Sequence, residues 1–111
     1  MLDWVVEAHG VRILHIDSAR WREDLLAEEQ VDVLCLCAFG LRRPAEAARL
    51  VELTGARVVV PCHWDVPTRP IEDPPRLLPG VDLPAMGRAV RAAGARFEVL
   101  PFFGELGLAP A

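Results

Sequence analysis

The spacing of hydrophobic and polar positions near the start of the chain is typical of two adjacent strands. Residues 4–8 are rich in valine, and residues 11–16 contain four large aliphatic side chains. His9 and Gly10 stand between them and match a two-residue turn that contains glycine. This pattern predicts a β-hairpin over residues 4–16, with one long bent strand as the alternative.

A polar segment and a strongly apolar one follow the hairpin. Residues 19–30 carry a thin apolar stripe behind Asp17 and Ser18, either of which is a suitable helix cap, so a helix is predicted there. Residues 31–39 are almost continuously apolar, which is typical of a strand buried on both faces, as in a parallel sheet.

The same alternation of helix and strand continues in the next part of the chain. Pro44 opens an amphipathic helix over residues 45–53, and Gly55 follows its end. This placement of proline and glycine is common at helix boundaries. Residues 57–61 form a short, β-branched strand pattern.

A proline-rich segment separates this strand from the closing elements. The prolines within residues 62–84 argue against regular structure there, and long loops of this kind are usually functional or mobile. A helix is predicted over residues 84–93, ended by Gly94, and a last strand over residues 96–100. Residues 101–111 form an apolar tail for which a short edge element is predicted.

Strands that alternate with helices predict right-handed crossovers and an α/β fold. We therefore expect one domain over residues 1–111, with a mostly parallel sheet and an antiparallel hairpin at its start. The chain has 111 residues, of which 52% are hydrophobic and 25% charged, which suits one globular core. It contains no apolar run near the ~20 residues of a membrane span and no signal-peptide pattern, so a cytoplasmic protein without a membrane partner is expected.

The charge of the chain bears on its partners. The net charge is −4, and all twelve basic residues are arginines scattered along an acidic chain. Nucleic acid is not an expected partner, since binding it requires a clustered basic face. The three cysteines, Cys35, Cys37 and Cys62, are expected to be reduced thiols, and Cys35 and Cys37 to pack on one face of a strand.

Polar residues follow three of the predicted strands at the end where parallel sheets usually carry their sites. Asp17 follows the second strand, Cys37 closes the third, and Cys62 and His63 follow the fourth. Carboxylate, thiolate and imidazole are common metal ligands, so these residues are candidates for a metal site. The alternatives are that Asp17 caps a helix and that His63 is an ordinary polar residue.

Two arginines stand in front of the second predicted helix. Arg42 and Arg43 precede its N-terminus, where backbone N–H groups favour an anion such as phosphate. A solvated surface pair is the alternative. The sequence has no glycine-rich phosphate loop and no G-x-S-x-G elbow, so nucleotide binding and serine hydrolysis have no motif.

The order of the motifs resembles a known family. Residues 4–18 resemble the segment of metallo-β-lactamase-fold hydrolases that leads to their G-D-[ST] motif, and residues 31–40 resemble the next strand. Residues 44–65 resemble the helix and the strand that ends in P-x-H, here Pro61-Cys62-His63. Residues 86–105 resemble the closing helix, strand and P-G-E turn. The branch that the chain resembles most is that of the ascorbate-6-phosphate lactonase-like proteins.

This resemblance implies half of the four-layer αβ/βα fold, with the helices on one face of the sheet. It gives Asp17 the role of the carboxylate that bridges two metal ions, zinc or manganese, and His63 that of the last metal-binding histidine. In the family such metals activate a water that attacks an ester, lactone or phosphodiester. Trp64 and Asp65 would flank the substrate cleft, and Arg42 and Arg43 are weaker candidates for it.

The chain also departs from the family pattern. It lacks the H-x-H-x-D-H motif, which belongs to the first half of the fold, and Ile16 replaces the glycine before the bridging aspartate. Two ligands are fewer than the three or four that zinc sites use, so little activity is expected from the chain alone.

The half-fold has a further consequence for assembly. One apolar sheet face would lack a cover, so a homodimer or a partner chain with the missing half is expected. Two other functions stay open: a non-catalytic module that keeps the half-fold for oligomerisation or binding, and a small α/β domain that binds a phosphorylated ligand.

Overall fold

The chain forms an α/β structure around one five-stranded mixed sheet. The computed structural model describes residues 4–16, 26, 30–38, 41, 43–66, 68, 70, 72–101 and 104–108. Its strands are β1 (Trp4–Ala8), β2 (Val11–Ile16), β3 (Val33–Cys37), β4 (Val58–Cys62) and β5 (Arg96–Phe97), and its helices over those residues are α1 (Ala45–Thr54) and α2 (Leu83–Ala92). The strands lie side by side in chain order.

The predicted hairpin is confirmed. Strands β1 and β2 pair antiparallel, with Trp4 opposite His15. His9 and Gly10, which join them, both have positive φ angles, of 52° and 77°. Positive φ at both central residues is the conformation of a type I′ turn, whose twist suits a two-residue hairpin. The alternative of a single bent strand is therefore wrong.

The remaining pairs, from β2 through β5, are parallel, as predicted. The last strand, however, is only two residues long, against the five predicted over residues 96–100. The Glu98 N–H still donates to the Val59 carbonyl at 3.0 Å. The next ladder bond towards Glu98 would need an N–H from Pro61, and proline has none. The ladder between β4 and β5 therefore stops there.

Local chemistry explains the helix boundaries. Gly55, in the left-handed conformation with φ 67°, closes α1 and donates its N–H to the Val51 carbonyl at 2.9 Å. Helix α2 begins one residue earlier than predicted because the Asp82 carboxylate accepts the Ala85 N–H at 3.0 Å and caps it.

Three other predicted segments lie only partly within the described residues. The helix predicted over residues 19–30 lies outside the described residues except at its buried Leu26 and at Gln30. Between β4 and α2 the described residues of the proline-rich segment are irregular, as predicted, with one addition: an isolated antiparallel bridge joins Asp65 and Leu77. In the described part of residues 101–111 no edge element forms.

Both helices pack on the same face of the sheet. Leu34 from β3, Leu50 from α1 and Val90 from α2 are fully buried in the core between the sheet and the helices. The expectation of helices on one face is met over the described residues. Neither helix of this part of the chain is long and apolar enough to cross a membrane.

The opposite face of the sheet is only partly open. Val33, Val58 and Val60 are buried there beneath three leucines of the segment that follows β5, Leu100, Leu106 and Leu108. The expectation that this whole face lacks a cover is therefore wrong, because the chain folds back over β3 and β4. The outer corner formed by β1 stays exposed, with Trp4 at 48% and Val6 at 43% of their full accessible area.

Candidate functional site

The described ends of β3 and β4 meet at one edge of the sheet, as expected for parallel neighbours. Cys37 and Cys62, the last residues of the two strands, are register partners. His63 follows directly in a left-handed backbone conformation with φ 52°. Its Nδ1 atom lies 3.6 Å from the Cys37 Sγ atom. The structure thus brings together two of the predicted candidates, a thiol and an imidazole.

The other predicted metal ligand lies beyond what can be described. Asp17 is outside the described residues, as is Arg42. Strand β2 ends at Ile16, whose register partner on β3 is Leu36. The strand before Asp17 therefore ends beside the strand that carries Cys37.

Trp64 and Asp65 leave the sheet edge and enter the proline-rich loop. The Trp64 side chain packs against the core beneath the helices, and its carbonyl accepts the Leu78 N–H at 2.9 Å. The Val66 N–H donates to the Arg76 carbonyl at 2.8 Å, on the other side of the bridge at Asp65. Trp64 thus anchors the loop to the core, while a role for it in a substrate cleft stays a prediction.

The described side chains do not form a complete metal site. Among residues 4–16, 43–66, 72–101 and the shorter described stretches, no group of three or more His, Cys, Asp or Glu side chains is arranged to hold a metal ion. A catalytic zinc generally needs three protein ligands and an open position. The pair of His63 and Cys37 therefore does not fit such a metal without further ligands.

The N-terminus of α1 already has an acidic partner. The Arg43 N–H donates to the Glu46 carboxylate at 2.9 Å, and the Glu46 N–H donates to the Arg43 carbonyl at 3.1 Å. A small cavity of about 50 Å³ lies beside Arg43 and is also lined by Asp82. Glu46 therefore already takes the Arg43 backbone N–H, and the binding of a phosphorylated ligand at Arg42 and Arg43 stays a prediction.

Sequence reasoning missed a thiol pair on the sheet face opposite the helices. Cys35 lies between His15 of β2 and Val60 of β4 in the register of the sheet. A hydrogen bond with the Cys62 side chain lowers the pKa of the Cys35 thiol, while burial acts in the opposite direction. The alternation along β3 could place Cys35 and Cys37 on one face, but only the register of β4 brings Cys62 to the same place.

His15 contributes to the same face. Its ring stacks on Trp4 with centroids 4.9 Å apart and planes inclined by 6°. Its Nδ1 atom is buried with no hydrogen-bond partner among the described groups.

Comparison with protein families and with curated proteins adds nothing to the resemblance that was inferred from the sequence. The chain matches no protein-family model and no curated protein sequence. Its likeness to the metallo-β-lactamase fold thus stays a prediction that rests on the order of its motifs.

Proposed function

We propose that the chain is a half-fold related to the metallo-β-lactamase-fold hydrolases and supplies Asp17 and His63 to a metal site that a second chain completes. The observation that carries this proposal is the position of His63. It follows β4 at the carboxyl edge of a parallel sheet and contacts Cys37 at the end of the neighbouring strand.

The topology supports the same origin. The hairpin, the parallel strands and the helices on one face occur in the order that the motifs imply. The resemblance relates the two halves of the complete fold by an approximate two-fold axis. A second copy of this chain is therefore the partner we propose, and the exposed β1 corner with Trp4 and Val6 is the apolar surface that it would cover.

The proposal also accounts for the incomplete ligand set. The described residues alone do not hold a catalytic metal, so hydrolysis of an ester, lactone or phosphodiester is proposed only for the assembled protein. A bound zinc or manganese pair would activate the attacking water there. The contribution of this chain is to position an imidazole and a carboxylate at the ends of two strands.

Native mass spectrometry of the full chain, bare and with added zinc or manganese, tests the proposal. The chain offers a matched pair of variants, His63→Asn and His9→Asn. Both histidines have φ 52°, a conformation that asparagine tolerates, but His9 lies in the hairpin turn at the opposite edge of the sheet.

The expected result is a dimer that carries metal. Metal affinity should fall by at least about tenfold in His63→Asn, because a direct ligand is lost, and stay unchanged in His9→Asn. Asp17→Ala should resemble His63→Asn. Equal metal binding by the parent and by both His63→Asn and Asp17→Ala would contradict the proposed site. A metal-bound monomer would contradict the proposed pairing.

The second candidate is a non-catalytic module that oligomerises through the same face. The exposed apolar corner at Trp4 and Val6 favours it independently of any metal. A dimer that binds no zinc or manganese would select this function over the first. A heteromer formed with a chain that contains H-x-H-x-D-H would instead select a split enzyme.

A further inference from the structure

The structure gathers the three cysteines of the chain on one face of the sheet. Cys35 and Cys37 are two residues apart on β3, so both side chains lie on the face opposite the helices. Cys62 is the register partner of Cys37 and shares that face. None of the three is part of a disulfide bond. The chemistry inferred below for this cluster does not rest on the proposed function.

Two of the sulfur atoms form a pair. The Cys62 thiol lies 3.8 Å from the Val60 carbonyl, and Val60 is the register partner of Cys35. The Cys62 side chain therefore folds back along β4 to the level of Cys35, with which it forms a hydrogen bond. Cys37 is engaged differently, since its sulfur contacts the His63 ring.

Accessibility separates the three thiols further. Cys35 and Cys62 are half-buried, whereas Cys37 is only 5% exposed. A small oxidant in solution can therefore reach the paired sulfurs more easily than the third. Thiols of this kind, partly accessible and adjacent to a second cysteine, are the usual sites of reversible oxidation.

We propose that Cys35 and Cys62 form a hydroperoxide-reactive dithiol that closes to an intramolecular disulfide. The Cys35 sulfur attacks one oxygen of hydrogen peroxide, the O–O bond breaks, and Cys35 becomes a sulfenic acid as hydroxide leaves. The Cys62 sulfur then attacks the Cys35 sulfur and displaces its oxygen as water. Two thiols and one peroxide thus give one disulfide and two waters.

The geometry of the strand end makes the closure feasible. A disulfide needs its two sulfurs about 2.05 Å apart, closer than a hydrogen-bonded pair. Cys62 is the last residue of β4, and Pro61 before it donates no ladder bond to β5. The end of β4 can therefore move towards β3 at a smaller cost than a strand interior. Cys35 lies inside β3 whereas Cys62 ends β4, so Cys62 is the thiol that moves and Cys35 is the one that it attacks.

Peptide mapping after treatment of the reduced full-length protein with hydrogen peroxide tests the proposal. The expected product has lost the mass of two hydrogen atoms and regains it with a dithiol reductant. In a tryptic digest Arg42, Arg49 and Arg57 separate Cys62 from the peptide that carries both Cys35 and Cys37, and fragmentation of the linked peptides between Cys35 and Cys37 assigns the bridge. Cys37→Ala is the matched control and should still form the bridge.

Two further variants assign the roles. Cys62→Ser should accumulate a sulfenic acid on Cys35 that a dimedone probe traps, because the resolving thiol is missing. Cys35→Ser should lower the rate at which the protein consumes peroxide by at least about tenfold, because the thiol that attacks peroxide is missing. Circular dichroism shows whether each variant is folded. In the parent protein, Cys35 should react with peroxide before Cys37, and this comparison needs no variant.

Three outcomes would overturn the proposal. One is a bridge that maps to Cys37 instead of Cys35, or that disappears in Cys37→Ala. Another is a disulfide between two copies of the chain, visible as a dimer on a non-reducing gel. The third is overoxidation of Cys35 to the sulfinic acid without any bridge. Metal titration of the same samples is independent of these results, so a failure here does not bear on the metal site.

Discussion

At the residue scale, Asp32 holds the amino ends of three strands together. Its carboxylate accepts the Arg12 backbone N–H at 2.9 Å and pairs with the Arg57 guanidinium at 3.3 Å. Its backbone N–H donates to the Arg12 carbonyl, and its carbonyl accepts the Arg57 and Val58 N–H groups. The residue thus connects β2, β3 and β4 just before the parallel ladder begins.

We predict that Asp32→Ala lowers the free energy of unfolding by about 1–3 kcal/mol, because a charge-assisted hydrogen bond to backbone is lost and the Arg12 N–H loses its acceptor. Glu52→Ala is the control. Glu52 pairs with Arg49 at 3.6 Å on the exposed surface of α1, so its removal should change stability by less than about 0.5 kcal/mol. Urea denaturation measures both. Equal effects for the two variants would show that Asp32 is an ordinary surface charge.

At the scale of elements, the contact between α2 and β5 depends on a glycine. A Cβ atom at Gly87 would lie 2.9 Å from the Phe97 ring and 3.1 Å from the Arg91 guanidinium. The Arg91 guanidinium in turn lies over the Phe97 ring, 5.8 Å from its centroid. Gly87 therefore lets the helix approach the last strand closely, although glycine is a poor helix former.

We predict that Gly87→Ala lowers the free energy of unfolding by about 1 kcal/mol, since overpacking against Phe97 exceeds the gain in helix propensity. Gly107→Ala, at a position with open space, should leave stability nearly unchanged. The double variant Gly87→Ala/Phe97→Leu should recover part of the loss. Thermal melting would contradict this account if Gly87→Ala raised the melting temperature.

At the scale of the whole molecule, the two faces of the sheet are covered by different means. The helices bury one face, and Leu100, Leu106 and Leu108 cover the other only over β3 and β4. The exposed corner at Trp4 and Val6 remains, on the edge strand β1. An apolar corner beside an unpaired strand edge is a typical place for association.

We predict that the double variant Trp4→Ser/Val6→Ser raises the dissociation constant of the proposed dimer by at least about tenfold, because apolar contact area at its centre is lost. Val99→Ser is the control, since Val99 is similarly exposed at 41% but follows β5, which is the strand at the opposite edge of the sheet from β1. Analytical ultracentrifugation measures both. A dimer that responds to Val99→Ser and not to the double variant would place the interface elsewhere.

The elements could be predicted from the sequence where local signals act. His9-Gly10 specified the hairpin, and Pro44 and Gly55 marked the ends of α1, because turn and cap conformations depend on a few adjacent residues. The length of β5 could not be predicted in this way. It depends on the missing N–H of Pro61, which stands on a neighbouring strand.

The sequence by itself determined the α/β class, the order of the strands and helices, and the candidate residues that follow each strand. Only the tertiary structure decided which side chains meet. The contact of Cys37 with His63 and the pairing of Cys35 with Cys62 depend on the register between β3 and β4. The partial cover over Val58 and Val60 depends on where the chain returns after β5. Such contacts join residues far apart in the chain, and hydrophobic periodicity, which reports only on neighbours within one element, does not specify them.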